Sequence, residues 1–467
     1  MIKFSAYCQV CLLLGLLCAF SSCEKDDDKS DKAINQWIDA TMRSWYLWYS
    51  DIPDKKQLNF NAEPETFFAS LLSQSDGKSQ HYSAIKKKKT TTRASLGDEP
   101  TLGFEFQSWK ITDLRKSGVN ILYVLPGSPA EEKGLKRGDW IFTINGSAVG
   151  ESNLSALRSG ESVRLGVADD IQGVVRRTVD LSPRMVEDNP VLLDTVYMVQ
   201  NTKIGYLVYN HFTSGPDGDE DEKYNNTLRK SFENFKIAGV QEFILDLRYN
   251  GGGLVTSSQL LSTMLAPASA LGDEFCSLVY NDKHQSNSRT LTLDKSYMKQ
   301  GANGENLDLP RLIVLTSART ASASEAVING LKPYYEVIVL GGQTEGKNVG
   351  SVTLENSKYD YELHPIVCRL YSKDKTIDYS NGFSPVWPQT EGQQLDLLVI
   401  RTPIQLGDIN KEPLLNVALQ WILTGGIEQN TDTRSSASFN AIPGYSSLDR
   451  KAMNGVQVPF TPEDVEW

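Results

Sequence analysis

The 467 residues predict a mixed α/β protein built from several units rather than one core. Three observations carry that prediction. Between 203 and 342, short apolar β runs alternate with helical stretches, as a partly parallel sheet covered by helices requires. Between 102 and 183 the chain is a series of short β runs punctuated by Gly and Pro. Between 31 and 75, Ile34, Trp37, Ile38, Met42, Trp45, Tyr46 and Trp48 recur mostly at three- and four-residue intervals, which predicts a small helical cap whose aromatic stripe is core.

Composition narrows the function classes. Apolar residues make up 40% and charged residues 22%, as in soluble globular proteins. A formal net charge of -11 offers no basic footprint for phosphate, so nucleic acid is not an expected partner. The one basic run, Lys86 to Lys89, falls in a Lys-, Thr- and Ser-rich stretch, 76–100, that is expected to be a linker.

Four of the six cysteines, Cys8, Cys11, Cys18 and Cys23, crowd the N-terminus, and Cys276 and Cys368 are expected to be buried and unpaired. Cys8 and Cys11 form a CxxC, but they adjoin an apolar run and make no redox or metal motif. That run, 10–20, follows the basic Lys3 and is too short to cross a bilayer, which fits a signal-peptide core. Ser21-Ser22-Cys23 resembles a bacterial lipobox, implying cleavage before Cys23 and lipidation of its thiol. Glu24-Lys25-Asp26-Asp27-Asp28 is similar to the acidic tether of surface-exported lipoproteins of the Bacteroidetes. The implied address is the outer membrane, facing the periplasm or the cell surface, with a lipid anchor as the membrane contact.

In the β-rich stretch, Leu102, Gly103 and Phe104 open a first strand and a continuous apolar strand covers 120–125. A short helix ends at Gly134, and the turn Arg137-Gly138-Asp139 feeds a strand that closes on Asn145-Gly146. The series SPAEEKGLKRGDWIFTING, with the loop before it, resembles a PDZ domain over about 102–183. That resemblance implies capture of an extended C-terminal peptide by strand addition, its carboxylate held by backbone amides of Leu102, Gly103 and Phe104.

The body begins with a strand at 203–212 and an acidic loop at 217–222. Acidic residues alternate at Asp217, Asp219 and Asp221, but a calcium loop starting there needs Gly where Glu222 stands and Glu where Leu228 stands. A helix at 224–238 ends at Gly239, and a β run at 242–247 leads into Arg248-Tyr249-Asn250-Gly251-Gly252-Gly253. A helix at 254–265, a strand at 311–316, a helix opening at Ser322, a strand at 337–340, Lys347 and a helix at 413–423 follow. The Ser-, Asn- and Thr-rich tail from 428 is expected to be loosely structured.

Three features follow successive strands, where functional groups of such sheets gather: the glycine triplet, Ser322 and Lys347. The triplet lacks the Lys-Ser/Thr of a P-loop and the spacing of a dinucleotide fingerprint. As an oxyanion-hole element it is apt, because amides without side chains can converge on one point. Ser322 would sit among unpaired N–H groups at a helix N-terminus. Lys347 can act as a base only if burial lowers its pKa. Taken singly, each residue is equally a helix cap or a solvated lysine.

LDLRYNGGG, TASASE and TEGK, in this order behind a PDZ-like module, resemble the C-terminal processing peptidases, or tail-specific proteases. The resemblance implies a mixed α/β, crotonase-like (ClpP-like) core at 184–425, between a PDZ-like domain at 101–183 and a tail at 426–467. A signal peptide at 1–22 and a tether, helical cap and linker at 23–100 precede them. Carried over by position, Ser322 is the nucleophile and Lys347 the general base. Gly253, with Gly252 as the alternative, and Ala323 supply the oxyanion hole. Ser324 is the rival nucleophile, but two helical steps turn it about 200° from Ser322.

Family members often carry a glutamine where this chain has Ser351 and an acid where it has Pro333, and both orient the lysine. Here Ser351 or Glu345 must serve instead. The implied chemistry is peptide hydrolysis through an acyl-enzyme, with no cofactor or metal and a protein or peptide C-terminal segment as substrate. A catalytically silent peptide-binding lipoprotein and a small-substrate esterase or amidase are the alternatives. A His-based site is poorly served by His81, His211, His284 and His364, of which only His211 sits at a strand end in the body.

Overall fold

The structure, a computed structural model, describes residues 29–78, 80–88, 99–216, 221–375, 378–386, 404–426, 441–449 and 456–457. Cys23 with its leader and tether, Lys89, residues 217–220 of the acidic loop and most of the chain beyond 426 lie outside them.

A five-stranded sheet forms the centre of the body, in the order Glu336–Gly341, Arg311–Thr316, Glu242–Asp246, Thr202–Tyr209, Val191–Val199. The first four strands are parallel and the last is antiparallel to its neighbour. Successive side chains serve two cores: Leu312 and Val314 join one cluster, Ile313 and Leu315 the other. Parallel strands covered on both faces need apolar residues at every position, which explains why these segments are continuous apolar runs. Helices Lys223–Ala238, Val255–Leu265 and Ala323–Leu331 cover one face, and Pro413–Thr424 closes the other. The turns leaving three neighbouring parallel strands therefore emerge side by side, carrying the glycine triplet, Ser322 and Lys347.

A second five-stranded sheet, not foreseen from the sequence, comprises Arg289–Thr292, Glu274–Tyr280, Ile366–Tyr371, Val349–Ser351 and Val456–Gln457. Cys276 and Cys368 lie on two of its strands, buried and unpaired. The cap helix Asp31–Trp45 starts at Ser30, whose hydroxyl accepts from the Ala33 N–H at 3.3 Å. Its Trp37, Trp45 and Tyr46 join the main core of the body, so the aromatic stripe is packing rather than a ligand platform.

The linker expected at 76–100 is overturned at Ala84–Lys87, a strand that pairs antiparallel with Tyr361–His364. Charge counting misses it because the ladder is made by main-chain groups, and Lys86 is half-buried, so that burial lowers its pKa. The loose tail expected from 428 is likewise overturned at Ala441–Ser446. This segment pairs antiparallel with Phe104–Ile111 on the edge of the seven-stranded sheet that otherwise belongs to residues 104–181. A polar composition does not forbid pairing, since an open strand edge accepts any backbone. That sheet has a core of its own, built on Phe106, Val119, Ile121, Ile141 and Leu165.

A buried charge cluster ties the sheet to its covering helix just before the glycine turn. The Arg248 guanidinium contacts Asp246 at 2.6 Å and Glu412 at 2.6 Å, all three side chains being buried. Glu412 caps Pro413–Thr424 by accepting from the Leu415 N–H. Breaking such a cluster strands uncompensated charge. Arg248→Met is expected to lower the unfolding free energy by about 3–5 kcal/mol, read as a fall in the urea midpoint; an unchanged midpoint would show that the cluster contributes nothing.

Candidate active site

Ser322 is the N-cap of Ala323–Leu331, with φ 63 and ψ -115. That region of backbone space is strained for a residue with a Cβ, at a cost on the order of 1–3 kcal/mol. Asn250 holds the turn in place. Its carbonyl accepts from the Ala321 N–H at 3.2 Å and from the Ser324 hydroxyl at 3.0 Å, while its side chain donates to Tyr209 O and accepts from the Gly252 N–H, both at 2.9 Å. Ser324 is thereby committed to the scaffold. The Ser322 hydroxyl, in contrast, is buried and has no hydrogen-bond partner among the described residues.

The glycine triplet approaches this turn as closely as main chain can. A Cβ on Gly252 would lie 2.7 Å from the Ser322 Cβ, and one on Gly253, at φ 135, would lie 1.9 Å from Phe212 O. Only glycine fits at either position. Asn250 takes the Gly252 N–H, whereas among the described residues the N–H groups of Gly251, Gly253 and Ala323 have no acceptor.

One carboxylate joins the serine to the lysine. Glu325 is buried, and its Oε2 accepts from the Ser322 N–H at 2.9 Å and the Lys347 N–H at 2.8 Å. Its Oε1 accepts from the Gly346 N–H at 2.7 Å and the Thr344 hydroxyl at 2.6 Å. Burial pushes its pKa up to about 7, while the four donated hydrogen bonds pull it down. The Ser-x-x-Glu spacing is a capping-box signature, so this tie could have been found from the sequence. Its reach to the lysine loop could not.

Lys347 is buried, and burial lowers its pKa to about 8 against the opposing pull of Asp76, Glu345 and Glu325. No carboxylate pairs with its ammonium within 4 Å among the described residues. Glu345, considered above as a direct partner, turns to the Tyr82 hydroxyl instead, at 3.2 Å. The Lys347 Nζ sits over the Tyr82 ring, 4.7 Å from its centroid. Tyr82 is fixed by Asp76, whose carboxylate accepts from the Tyr82 and Ser83 N–H groups and the Tyr46 hydroxyl at 2.9, 3.1 and 2.8 Å. Asp76 and Tyr82 lie in the stretch expected to be a linker. No sequence signal pointed to them.

A cleft of about 260 Å³ opens beside the lysine, lined by Tyr82, Gly251, Ala321, Arg319 and Lys347 and roofed by Leu448 and Asp449. It reaches the neighbours of Ser322 but not the hydroxyl. The Leu102, Gly103 and Phe104 loop is a separate place. Gly103, at φ 88, donates its N–H to Thr101 Oγ1 at 3.1 Å, and a cavity of about 40 Å³ lies between Leu102, Phe104, Phe106 and Leu157. Tyr249, beside the glycine triplet, links the two regions: its ring lies 5.7 Å from that of Tyr123, and its hydroxyl accepts from Arg137 at 3.0 Å. His211 bonds Asn210 Oδ1 at 2.8 Å. Ser351 lies in the second sheet on Val349–Ser351. Among the described residues no group of three or more His, Cys, Asp or Glu could hold a metal ion.

The architecture has a solved counterpart, an S41 protease from Bacteroides fragilis NCTC 9343. The two chains are 33% identical and align over 83% of this chain and 97% of that one, with a TM-score of 0.70. The chain belongs to peptidase family S41. The family model itself matches residues 203–363, that of the S41 N-terminal domain matches 33–84, and a PDZ domain model matches 121–168. A carboxyl-terminal-processing protease of Picosynechococcus sp. is 26% identical over 268 residues, covering 54% of this chain and 58% of its own length. A chloroplastic C-terminal processing peptidase of Tetradesmus obliquus is 26% identical over 384 residues, covering 78% and 74%. The match to the N-terminal domain ends at 84, so the Asp76 and Tyr82 that frame the lysine of this S41 chain belong to its N-terminal unit.

Glu325→Gln keeps the shape of the tie but turns an amide donor toward groups that are donors themselves. It is expected to cost about 1–3 kcal/mol of stability by urea unfolding. A carboxyl whose folded pKa of about 7 lies above its ordinary 4.5 adds stability as pH falls between those values. The parent should therefore show that contribution and the variant should lack it; equal stability and an equal pH profile in both would contradict the assignment.

Proposed function

We propose that this protein is a serine endopeptidase that cleaves protein or peptide substrates with Ser322 as nucleophile and Lys347 as general base. The observation that carries the proposal is the Glu325 carboxylate, which holds the backbone of both residues at once while Lys347 is buried enough to lose its proton near pH 8. A neutral lysine takes the Ser322 proton, and the alkoxide attacks the peptide carbonyl. The oxyanion is met by the Gly253 and Ala323 N–H groups, with Gly252 committed to Asn250. Lysine returns the proton to the departing amine, and water releases the acyl group. Ser322 and Lys347 are not hydrogen-bonded to each other here, so a side-chain rotation must precede proton transfer.

The substrate would be delivered by the PDZ-like module, which fits a carboxyl-terminal segment docked near Leu102, Gly103 and Phe104. The names of the curated relatives agree with such a substrate. A lipid on Cys23 would hold the enzyme at the outer membrane. One observation favours the alternative of a silent peptide-binding lipoprotein: the Ser322 hydroxyl is sealed from the cleft.

Cleavage of an unfolded test protein separates these readings. Ser322→Ala and Lys347→Met are each expected to lower the rate on the order of 10³-fold or more. Lys347→Arg, always charged, should be as inactive. The parent's kcat/KM should rise with pH through an apparent pKa of about 8, as the base loses its proton. Near-parent cleavage in the lysine variants, or a flat profile across that range, would remove Lys347 from the chemistry. Expression of Cys23→Ser should move the protein from the membrane fraction to the soluble one; unchanged membrane association would discard the anchor.

A further inference from the structure

The edge of Phe104–Ile111 is where a peptide would add to this module, and the chain itself occupies it. Ala441, Ile442, Pro443 and Ser446 pair antiparallel with Ile111, Lys110, Trp109 and Gln107. The segment therefore runs toward the Leu102, Gly103 and Phe104 loop, as an incoming peptide would. Side chains of the module grip it as well as main chain. Gln107 Nε2 donates to Gly444 O and Ser108 Oγ to Tyr445 O, both at 2.9 Å. The Phe106 N–H donates to Ser447 Oγ at 2.7 Å and Phe106 O accepts from the Ser447 N–H at 3.0 Å. The Tyr445 ring is held by the Arg158 guanidinium, 4.3 Å from its centroid, and by the Phe106 ring at 6.0 Å.

The segment does not end at the loop. Leu448 is buried beside Tyr123, Leu125 and Val186, and the Asp449 carboxylate meets Arg319 at 3.1 Å. Both residues roof the catalytic cleft, and Arg319 stands three positions before Ser322 in the sequence. Arg319 also donates to Gln107 on the module strand, so module edge, resident segment and nucleophile turn share one set of contacts.

We propose that the Phe104–Ile111 edge is a binding site for an extended peptide carrying an aromatic side chain between Phe106 and Arg158, and that residues 441–449 are its resident occupant. A substrate peptide must displace them, and their departure unroofs the cleft. This deepens the PDZ-like part of the reading above and rests on it. The hold is suited to exchange. The ladder is interrupted between Pro443 and Ser446, Pro443 has no N–H to give, and the Arg319 to Asp449 pair is half exposed. Tethering keeps the resident at an effective concentration on the order of millimolar, so a free peptide competes poorly until the resident is weakened.

The test uses the full chain carrying Ser322→Ala, so binding is read without turnover, and a fluorescent, C-terminally amidated peptide NAIPGYSSLD. A resident-weakening pair, Tyr445→Ala with Leu448→Ala, is expected to tighten peptide binding at least tenfold, and Arg158→Ala added to it should undo the gain. The Tyr-to-Ala form of the peptide should bind at least tenfold more weakly than the parent peptide. Without those changes, saturating peptide should speed hydrogen exchange at 441–449 while amides of 104–111 stay protected. Equal binding to resident-intact and resident-weakened chains, or exchange at 441–449 unaltered by bound peptide, would overturn the proposal. A peptidase that is inactive in the cleavage assay yet passes this test would lose its proposed chemistry and keep its binding site. One that cleaves and fails here would do the reverse.

Discussion

The geometry of the site depends on one buried carboxylate. Glu325 accepts four hydrogen bonds, two from the turn and loop that carry Ser322 and Lys347. Among the described residues the serine hydroxyl has no partner, and the lysine amine lies over a ring. Their backbones are fixed instead, by one shared buried acceptor. A buried acceptor left without donors, or donors left without it, costs more than the bonds return in water, so the arrangement is held in an all-or-none way.

Around that tie the fold works as a sequence of supports. Three adjacent parallel strands deliver the glycine triplet, the serine and the lysine to one edge. Asn250 spends its side chain and carbonyl on the strained serine turn at φ 63, and Glu325 takes the Ser322 N–H. The cap contributes the last wall. Asp76 orients Tyr82, whose ring face lies under the Lys347 ammonium. Desolvation then dominates the lysine pKa, and the nearby carboxylates moderate it without pairing.

Much of this was legible in the residues because the relevant signals are local. The β runs at 242–247 and 311–316, the helix ended by Gly239 and the helix opening at Ser322 follow from apolar continuity and cap residues, and they match the elements within a residue or two. The close approach of Gly252 and Gly253 follows from the same logic. What was not legible is long range. Tyr82 and Glu345 are 263 positions apart, and the basic, polar stretch around Tyr82 has the composition of a linker. The second sheet is made of short strands whose partners come from distant segments, so no period announces it. Tyr82, whose ring lies under the Lys347 amine, comes from a different part of the chain from Ser351 and Pro333, the positions at which family members carry lysine-orienting groups. The 441–446 strand was hidden for a related reason: an open edge recruits backbone, which every sequence has.

The central claim is that the Lys347 amine can be neutral near physiological pH because the fold desolvates it and, among the described residues, no carboxylate pairs with it within 4 Å. Titration of the Lys347 amine in the folded protein, by NMR of selectively labelled lysine with Lys347→Arg to assign the signal, tests this most directly. A midpoint at about 8 is the result this account requires. A midpoint at the ordinary lysine value, near ~10.4, would contradict it.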